Sequence, residues 1–204
     1  ILTTQNKKLL HIIEIYILAI NKTFTKMILK KIHFVIDKTI KVDASLKNLL
    51  KINRSYLPNQ SNVIVVIGGD GFMLETLKKY RKYKIPFYGM NKGTFGFLMN
   101  KFKIENISKR IQRARAISIS ALEMKTVSKN NINKTAIAIN EISLLRQSRQ
   151  TASLQIMVGK KILIKKLISD GVLVSTPAGS TAYNLSVNGP ILSLNSKKLA
   201  ITPI

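Results

Sequence analysis

Apolar residues follow two different patterns along the chain. Between residues 32 and 116, short β-branched runs alternate with segments in which apolar residues recur every three or four positions. The pattern predicts strands at Ile32–Ile36, Asn62–Ile67 and Ile85–Met90, and helices around Leu46–Leu50, Met73–Tyr80 and Ile104–Ile111. Strands that alternate with helices are typical of an α/β domain with a parallel sheet.

From about Ile117 the pattern changes to short alternating segments without helical spacing. These segments predict successive strands at Ile117–Val127, Ala136–Arg146, Ala152–Val158 and Ile162–Ile168. Asn130-Asn131 and Gly159 mark turns between them. We therefore predict an α/β domain at residues 27–116 and a mainly antiparallel β domain at residues 117–204.

The first 26 residues contain an apolar run, Leu9–Ile20, which His11 and Glu14 interrupt. The run is too short to span a membrane, and the charge within it argues against a signal peptide. Met27 stands shortly before the first predicted strand. We expect the working protein to begin near Met27, with residues 1–26 as a dispensable extension.

Composition narrows the class of protein. The chain has 204 residues, of which 46% are hydrophobic, and this is enough to bury a core in one large or two compact domains. It contains no cysteine, which excludes a disulfide framework, a thiol nucleophile and cysteine-ligated metal sites. We expect a soluble, cytoplasmic protein.

The formal net charge is +25, from 34 Lys and Arg against 9 Asp and Glu. Such a charge favours binding to polyanions, including nucleic acids and anionic lipid. The lysines are spread over the whole chain, however, and no basic run with interleaved aromatic residues occurs. We interpret the charge mainly as compositional bias and expect no specific nucleic-acid or membrane partner. A non-catalytic, basic nucleotide- or nucleic-acid-binding protein stays open as an alternative.

Two glycine-rich loops carry the first candidate site. Asp70 lies in the Gly68–Gly71 loop (Gly-Gly-Asp-Gly), between a predicted strand and a predicted helix. Glycines there let backbone amides approach a phosphate at the start of the helix. A second loop, Gly89–Leu98, follows the next strand. Because both strands end at the same edge of a parallel sheet, we expect the two loops to pack together and form a crevice for a ligand.

Two further patterns lie in the predicted β domain. Asn140-Glu141 places an amide beside a carboxylate, and these groups can bind an adenine edge and the hydroxyls of a ribose. The Ser169–Ser186 segment contains no Lys or Arg and combines small hydroxyl residues, glycines and one aromatic, as expected of a neutral ligand pocket. Each pattern also has a purely structural interpretation, as a tight turn, a strand end or a packed turn.

Gly68–Gly71, Asn140-Glu141 and the Asp170-Gly171 and Thr176–Tyr183 elements, in this order, resemble the motifs of bacterial NAD kinases. The resemblance runs from about Ile32 to the last residue. It implies an α/β nucleotide-binding domain, a β-sandwich-like domain and an active site between them. The implied reaction transfers the γ-phosphate of ATP to the 2′-hydroxyl of the adenosine ribose of NAD, giving NADP. It also implies a homo-oligomer, and Mg²⁺ or another divalent cation that arrives with ATP rather than in a cage of protein ligands.

The resemblance implies roles for individual residues. Asp70 corresponds to the catalytic base, and Gly68, Gly69 and Gly71 correspond to the loop that faces the phosphates. Asn140 and Glu141 correspond to the pair that holds the adenosine part of NAD, and Asp170 to a dinucleotide-binding aspartate. The residues that correspond to the lining of the NAD pocket are Ala178, Thr181, Ala182, Tyr183, Asn184, Leu185 and Ser186.

Two features depart from the family pattern. Phe72 stands where many relatives carry Thr, and the family continues beyond the position of Ile204, so we expect a chain truncated at its C-terminus. The first motif is shared with diacylglycerol and sphingoid lipid kinases, which leaves a lipid kinase of related fold as an alternative. A dinucleotide binder without catalytic activity is another. The sequence leaves open the phosphate donor, ATP or polyphosphate, and the preference between NAD and NADH.

Overall fold

The computed structural model of the chain describes residues 2–4, 12–18, 31–93, 96–128 and 132–204. The chain divides into two compact units, one formed by Lys22–Ala116 and the other by Ile1–Asn21 together with Ile117–Ile204. The strands are β1 (Leu2–Thr4), β2 (Ile12–Leu18), β3 (Ile32–Ile36), β4 (Val63–Gly68), β5 (Phe87–Asn91), β6 (Asn100–Lys101), β7 (Ala121–Val127), β8 (Asn133–Ala138), β9 (Glu141–Leu145), β10 (Ala152–Val158), β11 (Lys161–Ser169), β12 (Gly171–Ser175) and β13 (Ala200–Pro203). The α-helices are α1 (Ala44–Ile52), α2 (Asp70–Tyr80), α3 (Ile107–Arg113) and α4 (Tyr183–Ser186).

The Lys22–Ala116 unit is built on a parallel sheet in the order β3-β4-β5-β6. All six residues of β4 are buried, because the strand packs on both of its faces. Val63, Val65 and Ile67 face a core that includes residues of α1 and α3, whereas Ile64 and Val66 face α2. The α/β domain with a parallel sheet is thus confirmed.

The other unit contains two antiparallel sheets. One has six strands in the order β11-β10-β1-β2-β7-β8, and the other has three in the order β13-β12-β9. Their apolar side chains form one core, to which the larger sheet contributes Leu122 and Leu154 and the smaller one Ile142 and Val174. The mainly antiparallel, sandwich-like domain is confirmed.

The single strand predicted over Ala136–Arg146 is wrong. The chain leaves the larger sheet after Ala138 and enters the smaller one at Glu141. At this crossing the carbonyl of Ile139 accepts a hydrogen bond from Thr176 Oγ1 (2.7 Å), and the carbonyl of Asn140 accepts one from Thr176 N (2.9 Å). These bonds take the backbone groups that a continuous strand would give to a neighbour. The predicted turn at Asn130-Asn131 falls outside the described residues.

Two pieces of the N-terminal segment are described, and both pair within the larger sheet. Strand β1 pairs with β10, and β2 pairs with β7. The dispensability of residues 1–26 stays a prediction, and a chain that starts at Met27 tests it. Retained antiparallel structure in that chain supports the prediction, whereas loss of the fold contradicts it. In the part of the chain that the structure describes, no helix is long and apolar enough to cross a membrane.

Candidate active site

The Gly68–Gly71 loop joins the end of β4 to the start of α2. Gly69 caps the helix and Asp70 is its first residue. A side chain at position 68 would lie 2.7 Å from Phe72 Cδ1, so a larger residue there would have to displace the Phe72 ring. The positive end of the α2 dipole stabilises a carboxylate in the first turn. The predicted strand, glycine loop and helix are therefore present in this order.

The Gly89–Leu98 loop packs against the first loop, as expected. Lys92 N donates to the carbonyl of Gly68 (3.0 Å). Phe97 N donates to Asp70 Oδ2 (2.7 Å), and Leu98 N donates to Asp70 Oδ1 (3.1 Å). A side chain at position 96 would lie 2.7 Å from Asp70 Oδ1. Of this loop, residues 94 and 95 lie outside the described ranges.

The hydrogen bonds from the Phe97 and Leu98 amides determine what Asp70 can do chemically. They hold both oxygens of its half-buried carboxylate in one orientation. A carboxylate oxygen has two acceptor positions, so each one retains capacity for a further hydrogen bond. Asp70 is therefore an oriented acceptor that can still receive a proton from a ligand hydroxyl.

Lys92 connects the second loop to helix α1. Its ammonium forms an ion pair with Asp43 Oδ2 and lies 4.5 Å from the centroid of the Phe102 ring. Asp43 is the N-cap of α1 and accepts a hydrogen bond from Leu46 N (2.9 Å). One carboxylate thus anchors both the helix and the loop.

We predict an acid-dependent loss of stability from this carboxylate. The hydrogen bond from Lys92, supported by the one from Leu46, lowers the pKa of Asp43 below its ordinary value of 3.8. Since the folded pKa is depressed, the stabilisation is present above pH about 4 and disappears as the pH falls through the lowered value. Urea unfolding of the wild type and Asp43→Asn between pH 2 and 6 measures it. The stability difference between them should shrink in acid, and a difference that is independent of pH would contradict the prediction.

In the β unit, the structure brings Asn140-Glu141 together with the Thr176–Ser180 turn. Glu141 begins β9 and pairs with Ser175, the last residue of β12. The turn that follows β12 folds back, so that a side chain at Gly179 would overlap the backbone of Asn140. Asn140 Oδ1 is buried and has no hydrogen-bond partner among the residues that the structure describes. A buried acceptor without a hydrogen bond destabilises the folded state unless a ligand or water supplies a donor.

The predicted pocket lining beyond this turn contains both exposed and buried side chains. Tyr183 and Leu185 are exposed, as is Ser186, whereas Asn184 is fully buried. The Asn184 amide donates to the carbonyls of Ser180 and Pro190 and accepts from Thr202 Oγ1 (2.7 Å). The side chain of Asn184 therefore holds this turn together internally. The remaining predicted lining residues, Ala178, Thr181 and Ala182, are half-buried.

Asp170 lies apart from the other predicted site residues of this unit. It precedes β12, whereas Glu141 and Thr176 lie at the opposite end of that strand. Six residues of extended chain separate Asp170 from Thr176 by roughly 20 Å. The Asp170 carboxylate is exposed and accepts a hydrogen bond from Arg146 Nε (2.5 Å). A direct contact between Asp170 and Asn140 within the unit is thereby excluded.

Two residues of interest lie in the predicted motifs, but the sequence assigned no individual role to either of them. Phe97 is 76% exposed, although its backbone N–H donates to Asp70. Its place directly after Gly96 in the glycine-rich loop was the available signal. Thr176 is fully buried and bonded to the Ile139–Asn140 crossing, which no local pattern indicates. Within the described ranges, no group of three or more His, Asp and Glu residues is placed to hold a metal ion.

Comparisons with known proteins identify two domains in the chain. Residues 14–116 match the ATP-NAD kinase N-terminal domain, and residues 139–204 match the ATP-NAD kinase C-terminal domain. An NAD kinase of Zymomonas mobilis is 46% identical over 81% of this chain and 65% of its own length. One of Rhizobium meliloti is 44% identical over 84% of this chain and 66% of its own length. The chain thus spans about two thirds of the length of these curated relatives.

Solved structures show the same fold. Yeast NADH kinase complexed with NADH superposes with a TM-score of 0.65 at 23% identity, covering 88% of this chain and 67% of the yeast chain. An NAD kinase from Archaeoglobus fulgidus in complex with ATP superposes with a TM-score of 0.57 at 22% identity, covering 85% of this chain and 72% of the other. With both domain matches and the identity to the bacterial relatives, the chain belongs to the ATP-NAD kinase family.

Proposed function

We propose that this chain phosphorylates NAD, transferring the γ-phosphate of ATP to the 2′-hydroxyl of the adenosine ribose to give NADP. The observation that carries the proposal is the Asp70 carboxylate, which two loop amides orient at the start of α2. Family membership supplies the substrate class, because the curated relatives are NAD kinases. The solved neighbours, described as complexes with NADH and with ATP, support the same two ligands.

The proposed mechanism depends on positioning rather than on a covalent intermediate. Phosphoryl transfer requires alignment and neutralisation of charge, which oriented amides and an acid–base group can supply. Asp70 accepts the proton of the 2′-hydroxyl as that oxygen bonds to the γ-phosphorus. The bond between the γ-phosphorus and the bridging oxygen breaks, and ADP leaves with the electron pair. In this proposal the loop that contains Gly68, Gly69 and Gly71 faces the phosphates.

NAD recognition is assigned to the β unit. Asn140 Oδ1, buried and without a partner in the described ranges, is the acceptor for the amino group of adenine, and Glu141 accepts from ribose hydroxyls. In the α/β unit, we infer that the exposed ring of Phe97 offers a stacking surface beside Asp70. The remaining contacts that we propose are Asp170, Ala178, Thr181, Ala182, Tyr183, Leu185 and Ser186. Asn184 is fully buried and supports this lining from inside the turn.

Magnesium enters the proposal as part of the substrate Mg-ATP. Mg²⁺ prefers phosphate oxygens and water and keeps several waters when bound. Such a cation would be held largely by phosphate oxygens and water and needs few ligands from the protein. Our proposal also includes a cytoplasmic homo-oligomer without a specific nucleic-acid partner.

A substrate comparison tests the proposed activity. The chain is incubated with Mg-ATP and either NAD or dispersed diacylglycerol, and the phosphorylated products are quantified. We expect NADP and no phosphatidate. Formation of phosphatidate without NADP would contradict the proposal and favour a lipid kinase, a class that shares the Gly68–Gly71 motif.

Gly71→Ala should separate stability from activity. Gly71 is the second residue of α2, is exposed, and has no atom within 4 Å of an added Cβ. Alanine should stabilise the helix by up to about 1 kcal/mol. The methyl group would nevertheless occupy space beside the phosphates, so we expect kcat/KM for ATP to fall at least about tenfold. Urea unfolding and initial rates measure the two effects, and unchanged kinetics would remove Gly71 from the phosphate site.

A further inference from the structure

Thr176 is a buried link between the two parts of the proposed NAD site. Its side chain is 0% exposed and lies at the end of β12, where the Thr176–Ser180 turn begins. Thr176 Oγ1 donates to the carbonyl of Ile139 (2.7 Å) and accepts from Gly179 N (3.1 Å). Its backbone N–H donates to the carbonyl of Asn140 (2.9 Å).

These three bonds connect two segments that are far apart in sequence. On one side is the Ile139–Asn140 crossing between the sheets, and on the other is the turn that contains Gly179. The hydroxyl donates to one segment and accepts from the other at the same time, which an apolar side chain of similar volume cannot do. Removing it would leave a buried carbonyl and a buried N–H without these bonds.

The contact matters because of the side chain that follows Ile139. Asn140 Oδ1 is buried and lacks a partner in the part of the chain that the structure describes. Its direction depends on the Asn140 backbone, which Thr176 N and the close approach of Gly179 hold in place. A ligand donor can use this acceptor only if that backbone keeps its position.

We propose that Thr176 is a positioning residue for NAD recognition, because its hydroxyl fixes the backbone from which Asn140 presents its amide oxygen to the ligand. This inference rests on the proposed function and adds a residue that does not itself contact the substrate. The proposal implies that Thr176 affects the binding of NAD and not the binding of ATP.

Kinetics of three variants of the full chain test the proposal. Thr176→Val removes the hydroxyl at similar volume, and Thr176→Ser retains it. Thr76→Val is the matched control, since Thr76 is 2% exposed and its hydroxyl donates to the carbonyl of Phe72 in its own helix. We expect Thr176→Val to raise KM for NAD by about tenfold or more, while KM for ATP changes by less than about twofold. Thr176→Ser should restore the wild-type KM for NAD, and Thr76→Val should leave both KM values unchanged.

Equal effects of Thr176→Val on both KM values, or a KM for NAD like that of Thr76→Val, would overturn the proposal. Calorimetric titration with NAD distinguishes a failure of the Thr176 proposal from a failure of the proposed kinase function. If the wild type binds NAD without forming NADP, the activity fails, and the positioning role is then decided by the binding constants of the same variants. If the wild type does not bind NAD, both fail.

If Thr176→Val does not fold, amide hydrogen exchange of the wild type with and without NAD tests the Thr176 proposal instead. NAD binding should protect the Gly179 N–H, which donates to Thr176, more than the Leu192 N–H, which donates to Ser180. Equal or no protection at Gly179 would overturn the proposal.

Discussion

Asp70→Asn is expected to lower kcat for NAD phosphorylation by about 10²- to 10⁴-fold, because the carboxylate that accepts the hydroxyl proton is lost. The dissociation constant for NAD should change little, since the proposed adenosine contacts of Asn140 and Glu141 stay intact. Initial rates and calorimetric titration measure the two quantities. Turnover equal to that of the wild type would remove Asp70 from the mechanism.

We expect this variant to disturb the Gly89–Leu98 loop as well. Both Asp70 oxygens accept backbone hydrogen bonds, from Phe97 and Leu98, and an asparagine amide offers only one oxygen. Gly96→Ala is therefore the control, because its Cβ would lie 2.7 Å from Asp70 Oδ1 and displace the loop while the carboxylate remains. We expect a smaller loss of kcat in this variant. If Gly96→Ala lost as much kcat as Asp70→Asn, the displaced loop, and not the missing base, would explain the effect of Asp70→Asn.

Gly179→Ala is expected to have the largest effect on stability. The added Cβ would overlap the carbonyl carbon, the carbonyl oxygen and the Cα of Asn140, and backbone atoms cannot move aside as a flexible side chain can. Relief of the overlap would pull Thr176 N from the Asn140 carbonyl. We expect the free energy of unfolding to fall by about 2–3 kcal/mol or more.

Urea unfolding measures this loss, with Gly71→Ala as the control because its Cβ meets no atom within 4 Å. NAD affinity should fall together with stability in Gly179→Ala, since the overlap displaces the same backbone that carries Asn140. An unfolding midpoint like that of the wild type would show that the turn and the crossing are not in contact in solution.

The parallel sheet and its two loops could be predicted from the sequence because their signals are local. The β-branched run that ends at Gly68 indicates a buried strand, and the glycines mark where it stops. Once two neighbouring strands are parallel, their loops must meet at one edge. The packing of the two loops follows from that geometry, although the hydrogen bond from Phe97 N to Asp70 and the exposed ring of Phe97 do not.

The change of sheets at Ile139–Asn140 could not be predicted in this way. Apolar residues continue on both sides of the crossing up to Ile142, so the pattern is that of one strand. The break depends on hydrogen bonds from Thr176, more than thirty residues later. A contact so distant in sequence leaves no periodic signal.

The burial of Asn184 and the position of Asp170 are likewise tertiary properties. Asn184 is enclosed because Gly189 approaches it where any side chain would collide. Asp170 lies at the far end of β12 because Gly171–Ser175 forms a strand and not a compact pocket segment. The prediction of one continuous neutral pocket over Ser169–Ser186 did not include this strand.

The most direct test of the central claim is the time course of NADP and ADP formation by the 204-residue chain with NAD and Mg-ATP. The account predicts equal amounts of both products in the wild type and almost none in Asp70→Asn. A folded chain that binds NAD and ATP but forms no NADP would contradict it.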